Sequence, residues 1–163
     1  AYGLIALATT LGMYTGILLS AFNARPFWNT SILGPLFLIS GLSAAAALTA
    51  YFAKSHEEKK HFIKIDLFLI VTEFFLIVHL FMGLLASTAV HIEAAHMFLG
   101  GSYTVPFWVL VVAMGLILPG GLELMELRKK FIPAIVPVVL IVMGNLMLRF
   151  IVVSAGQASR WLY

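Results

Sequence analysis

Five runs of about twenty consecutive apolar residues, the length that crosses a bilayer as helix, divide this chain at roughly 1–21, 30–52, 63–87, 103–122 and 132–154. A soluble fold of 163 residues cannot hide so much oily surface, because small domains leave a large share of their area in water. With 62% hydrophobic and only 10% charged residues, the expectation is an all-α integral membrane protein. Its single domain would be a polytopic bundle of five transmembrane helices. The chain has no cysteine, which removes disulfides, thiolate metal sites and Fe–S ligation. A net charge of +3, gathered in the connections, is too small to suggest nucleic acid. No basic segment precedes the first run, so no secretory signal is read there. The sequence opens without Met and directly in apolar residues, from which we expect further sequence upstream.

Lys and Arg in the connections set the direction of insertion. Lys54, Lys59, Lys60 and Lys64 lie between runs two and three, and Arg128, Lys129 and Lys130 between runs four and five. The other side holds Arg25, and Arg160 in the tail. The lysine-rich side is therefore expected to be cytoplasmic, with the "FNARPFWNT" loop, the "HIEAAH" loop and the C-terminus outward. In the first of these loops Pro26 ends a helix, and Phe27 and Trp28 read as an interfacial aromatic belt. Ala8, Gly12, Gly16 and Ser20 recur every four residues, and "SGLSAAAA" gives run two a comparable small face. Both patterns predict close helix–helix approach. Pro119, Gly120 and Gly121 are expected to weaken run four near its cytoplasmic end, and Pro137 to kink run five.

Charges in hydrocarbon are costly unless paired, hydrated or neutralised. Asp66 and Glu73 stand seven residues apart in run three and share a face. His79 lies deeper and about 120° round the helix, while Asn145 and Arg149 share a face of run five. Two readings stay open. In one, these residues form a hydrated ladder that carries protons part-way across the membrane. In the other, Glu73 is protonated and bonded to a neighbour, Asp66 pairs with a loop Lys, and Arg149 snorkels outward. His79 is the sole histidine inside a run, so no matched bis-His pair is available. Neither haem nor Fe–S is expected to be bound by this chain. His91 and His96, five apart, make an awkward metal pair, and a capping or interface loop is the preferred reading there. Tyr14, deep in run one, calls for a hydrogen-bond partner, either a packing neighbour or a head group.

Three segments, "YTGILLSAFNARPFWNTSILGPLFLISGLSAAAAL", "KIDLFLIVTEFFLIVHLF" and "GNLMLRFIVVSAGQ", together resemble the NrfD/polysulfide reductase membrane-subunit (PsrC-like) family. The resemblance spans nearly the whole chain. By analogy it implies a fold of about eight transmembrane helices, of which these are the last five, working as a quinone-reacting anchor. The implied cofactor is menaquinone or ubiquinone. The implied partners are a ferredoxin-like Fe–S subunit and a molybdopterin or multihaem cytochrome subunit, with membrane lipid around them. The implied location is the cytoplasmic (inner) membrane of a bacterium or archaeon.

The same resemblance makes Tyr14, in its Tyr-Thr-Gly triplet, and Arg25 candidate quinone ligands. Arg25 and Trp28 become candidate docking residues for the electron-carrying partner. Asp66, Glu73, His79, Asn145 and Arg149 become the candidate proton pathway. No residue is expected to be catalytic by itself. Two other functions compete: half of a proton- or ion-translocating transporter, although no inverted repeat is visible, and a passive anchor without quinone chemistry.

Overall fold

A backbone in hydrocarbon has no water to bond, so each apolar run closes its own hydrogen bonds as helix. The computed structural model describes residues 2–128 and 132–160. In chain order it contains α1 (Tyr2–Ser20), α2 (Leu33–Phe52), α3 (His56–Leu85) and the short α4 (Ala89–His96). A π-helix (Pro106–Ile117) then continues directly into α5 (Leu118–Leu127), and α6 (Ile135–Ala158) follows. Five of these segments are long and apolar enough to cross a membrane, counting the π-helix and α5 as one. Ala1, Lys129, Lys130 and the tail beyond Arg160, invoked above for the first run, the charge count and the C-terminal orientation, lie outside the described residues.

Helix starts differ from expectation in an instructive way. The third helix begins at His56 instead of residue 63, because "SHEE" supplies a capping box. The Ser55 backbone N–H donates to the Glu58 carboxylate at 3.3 Å. The resulting 30 residues extend about 45 Å at 1.5 Å per residue, longer than a hydrocarbon core is thick. Lys59 and Lys60 therefore ride on the helix, not in a loop. The fourth crossing does not break at Pro119–Gly121 but runs on to Leu127. Pro119 has no N–H, and in an α-helix its ring would press on the carbonyl four residues back. The wider π turns, in which the Leu118 N–H reaches the Ala113 carbonyl, relieve that crowding one turn earlier. Pro137 produces no mid-helix kink, because α6 starts at Ile135 and leaves it in the first turn, where no intrahelical donor is needed.

The second helix occupies the centre, packed against α1, α3 and α6, while the π-helix lies along α6 and α5 joins α3 to α6. Small residues set these approaches. A Cβ added at Gly16 would sit 2.5 Å from the Leu33 carbonyl oxygen, so α1 and α2 touch through their backbones. Gly115 of the π-helix and Gly144 of α6 meet in the same way. The first helix fully buries only Gly16 and Leu19, and most of its other residues are exposed.

At the end opposite the lysines, Phe27 is enclosed and stacks on Phe98 with centroids 4.7 Å apart, and Phe98 meets Phe107 edge-on at 5.1 Å. The expected aromatic belt is thus an interior cluster. Folding the loop back over the bundle buries both Phe27 and Trp28.

Candidate functional site: a buried polar column

Asp66 and Glu73 face inward from α3, and the bundle brings them to Ser40 and Ser43 of α2, Asn145 of α6 and Glu123 of α5. The three carboxyls are 0%, 1% and 2% exposed for Asp66, Glu73 and Glu123, so all are withdrawn from any solvent. Ser43 Oγ donates to Asp66 Oδ1 at 2.5 Å. Asn145 Nδ2 donates to the Ser40 carbonyl at 2.7 Å, and the Ser40 hydroxyl bonds back to the Asn145 amide oxygen. Ser40 also interacts with the Glu73 carboxyl, and the Asp66 and Glu123 carboxyls lie within interaction range of each other. One oxygen on each of Asp66, Glu73 and Glu123 has no hydrogen-bond partner. Asp66 and Glu73 are two turns apart, about 10 Å along the helix axis. A fixed negative charge at each position would cost several kcal/mol in such surroundings.

Arg149 closes the far end of the column. Its Nη2 donates to the Phe37 carbonyl at 3.1 Å, and the guanidinium lies 4.9 Å over the Phe37 ring. It is near enough to Glu73 for the two charges to interact. It is held inward, not snorkelled outward. Beside it a cavity of about 330 Å³ opens along the α1–α2 seam, walled by Ala8, Leu11, Gly12, Phe37 and Leu38. Apolar walls with one convergent cationic donor fit a flat quinone ring and its carbonyl oxygens. Asp66, by contrast, forms no ion pair with a lysine among the described residues: Lys59 pairs with Glu126 instead.

The other candidates stand apart from the column. His79 is exposed, its ring stacked on Phe75 at 5.8 Å. Its position round α3 points it away from the interior, so within this fold it does not extend the ladder. Tyr14 is 57% exposed on α1, one turn beyond Leu11 of the cavity wall, and makes no hydrogen bond among the described residues. Arg25 is half-buried and its Nη1 donates to the Ser159 carbonyl at 2.5 Å, a cation at the C-terminal end of α6. Trp28 is buried: its Nε1 donates to the Val152 carbonyl at 3.0 Å and its indole lies against Gly156. Trp28 is therefore no docking surface, because α6 already covers it. "AVHIEAAH" is helical, not a loop, with His91 Nδ1 2.7 Å from Thr88 Oγ1. Among the described residues no group of three or more His, Asp or Glu is placed to hold a metal.

Glu123 was missed in the sequence because "LPGG" reads as a helix end, which puts the glutamate in a loop. Leu118, Leu122 and Met125, at i, i+4 and i+7, were the available sign that the helix goes on. Ser40 and Ser43 were legible only as small residues.

The family model described as "Polysulphide reductase, NrfD" matches residues 1–159. Protein NrfD of Escherichia coli is 38% identical over 165 residues, which cover 96% of this chain and 52% of that protein. An NrfD homolog of Haemophilus influenzae is 36% identical over 168 residues, covering 96% and 52%. The C subunit of polysulfide reductase from Wolinella succinogenes is 34% identical over 166 residues, covering 93% and 51%. The chain spans about half the length of these relatives. No solved structure matches it significantly.

Proposed function

The chain belongs to the NrfD polysulfide reductase family, and from that premise we propose that it serves as the quinone-linked membrane subunit of a respiratory oxidoreductase complex. It would exchange electrons between membrane quinone or quinol and a partner bearing Fe–S or haem groups. A ferredoxin-like subunit with a molybdopterin enzyme, or a multihaem cytochrome, fits that part. The bacterial or archaeal cytoplasmic membrane, with the lysine-bearing end inward, is the proposed setting. One observation carries the reading: an apolar cavity with a cationic donor adjoins an interior column of buried carboxyl, hydroxyl and amide groups.

A bound quinone supplies two-electron, two-proton redox chemistry; the residues here would orient it and manage the protons. Arg149, fixed by the Phe37 carbonyl and ring, offers its remaining N–H groups to an acceptor oxygen in the cavity. Tyr14 stands at the outer edge as a second hydroxyl donor. Glu73, within the electrostatic reach of Arg149, takes or gives the proton. Ser40, clamped by Asn145, keeps the Glu73 carboxyl oriented. Asp66 and Glu123 continue the route towards the lysine-bearing end.

The test is quinol-linked electron transfer and proton uptake by the assembled complex carrying Arg149→Met or Glu73→Gln. Loss of a positioned proton carrier should slow both by at least about tenfold while the complex still assembles. An effect below about twofold in both variants, the size of an incidental surface change, would refute the reading and leave a passive anchor.

A further inference from the structure

The unpaired oxygens are not scattered at random: two of the three belong to neighbouring carboxyls. The carboxyls of Asp66 from α3 and Glu123 from α5 lie within interaction range of each other, and Asp66 Oδ2 and Glu123 Oε2 are buried without a hydrogen-bond partner. Two ionised carboxylates offer only acceptors, so the two can hydrogen-bond only if one of them carries a proton. Two negative charges so close in hydrocarbon would also repel strongly.

Next to Glu123, on the lysine-bearing side, lies a chamber of about 10 Å³, walled by Ala50, Tyr51, Lys59, Ile63, Glu123 and Glu126 among others. That is room for about one water molecule, and the wall supplies the polar partners a buried water needs. The Lys59–Glu126 ion pair forms part of the chamber's wall, and its side chains, 25% and 17% exposed, reach the surface. The groups facing the pair are Ser43 from α2, Lys59 and Glu73 from α3, and Glu126 from α5; α6 brings Asn145 and Arg149 only to the Glu73 end.

We infer that Asp66 and Glu123 hold a single shared proton and form the loading site of the column, reached from the lysine-bearing end through a one-water chamber gated by Lys59 and Glu126. This rests on the reading of the column as a proton route. In the loading step, a protonated water in the chamber loses an O–H bond and Glu123 gains one. The proton already shared breaks its O–H bond to Asp66 and, relayed by a water molecule across the about 10 Å to a deprotonated Glu73, forms an O–H bond there. No electrons leave either group. The Ser43 bond to Asp66 holds the inner carboxyl in place while its partner changes protonation.

Infrared spectroscopy of the full membrane assembly tests this without quinol turnover. One protonated-carboxyl stretching band should disappear in Asp66→Asn and the same band in Glu123→Gln, because both variants remove the same proton. Glu58→Gln, altering an exposed carboxylate in the first turn of α3, should leave it intact. If the two variants removed separate, additive bands, or if neither removed one, the shared proton would be overturned. Lys59→Met should open the chamber and speed hydrogen–deuterium exchange of the band by at least about threefold, the effect expected of losing a partly exposed ion pair. An unchanged exchange rate would overturn the gate. Loss of the band in Glu123→Gln together with parent-rate proton uptake would overturn the loading role, while the Glu73→Gln and Arg149→Met results judge the quinone reading separately.

Discussion

Replacing Gly156 by Ala would drive a methyl group into the indole of Trp28, since a Cβ at that position overlaps Nε1, Cε2 and Cδ1 of the ring. The ring cannot easily retreat. Its Nε1 is bonded to the Val152 carbonyl, Phe22 lies tilted against it with ring centroids 5.8 Å apart, and its residue is 8% exposed. Overpacking of this severity costs about 3 kcal/mol at the upper end of the usual range. Displacing the indole adds about 1 kcal/mol for the lost hydrogen bond. The better helix propensity of Ala returns about 1 kcal/mol. A net loss of about 3 kcal/mol is roughly a 150-fold shift in the folded-to-unfolded ratio. Reversible unfolding in mixed detergent micelles, followed by circular dichroism, measures it. Combining the change with Trp28→Ala, which removes the ring that the methyl strikes, should cost less than the sum of the two single changes. A Gly156→Ala variant within about 0.5 kcal/mol of the parent, the range of an ordinary surface substitution, would refute the clamp.

Asn145→Leu should cost about 1 kcal/mol of stability, and Ser40→Ala added to it should cost little more, because the two side chains share one bridge; full additivity in the same unfolding assay would contradict the bridge. His79→Ala should leave quinol turnover within about twofold of the parent, as for other exposed sites. A tenfold loss there would restore His79 to the proton route.

The fold was legible because hydrocarbon imposes one rule on every segment, and run length alone then finds the helices. The shared face of Asp66 and Glu73 followed from the same periodicity. Helix ends were harder to read. Pro119 and two glycines outweigh Glu123 in any local reading, yet packing of the π-helix on α6 carries the helix through. Trp28 illustrates a different limit: an aromatic near a membrane boundary looks the same in sequence whether it meets lipid or a glycine 128 positions away. Arg25 is similar, since its partner is a backbone carbonyl of Ser159 that no side-chain pattern advertises. Tyr14 was found readily as a deep polar residue, but whether it faces a neighbour or an open seam depends on which helices flank α1.

The twelve-residue π-helix makes this protein sensitive to length in a place where composition is unimportant. Each residue of an ordinary helix advances the backbone by about 100°. Dropping one residue between 106 and 117 would leave the crossing as oily and nearly as long. It would nonetheless swing Glu123 about a quarter turn out of phase with Asp66, and a deletion invisible to hydropathy would disconnect the acids.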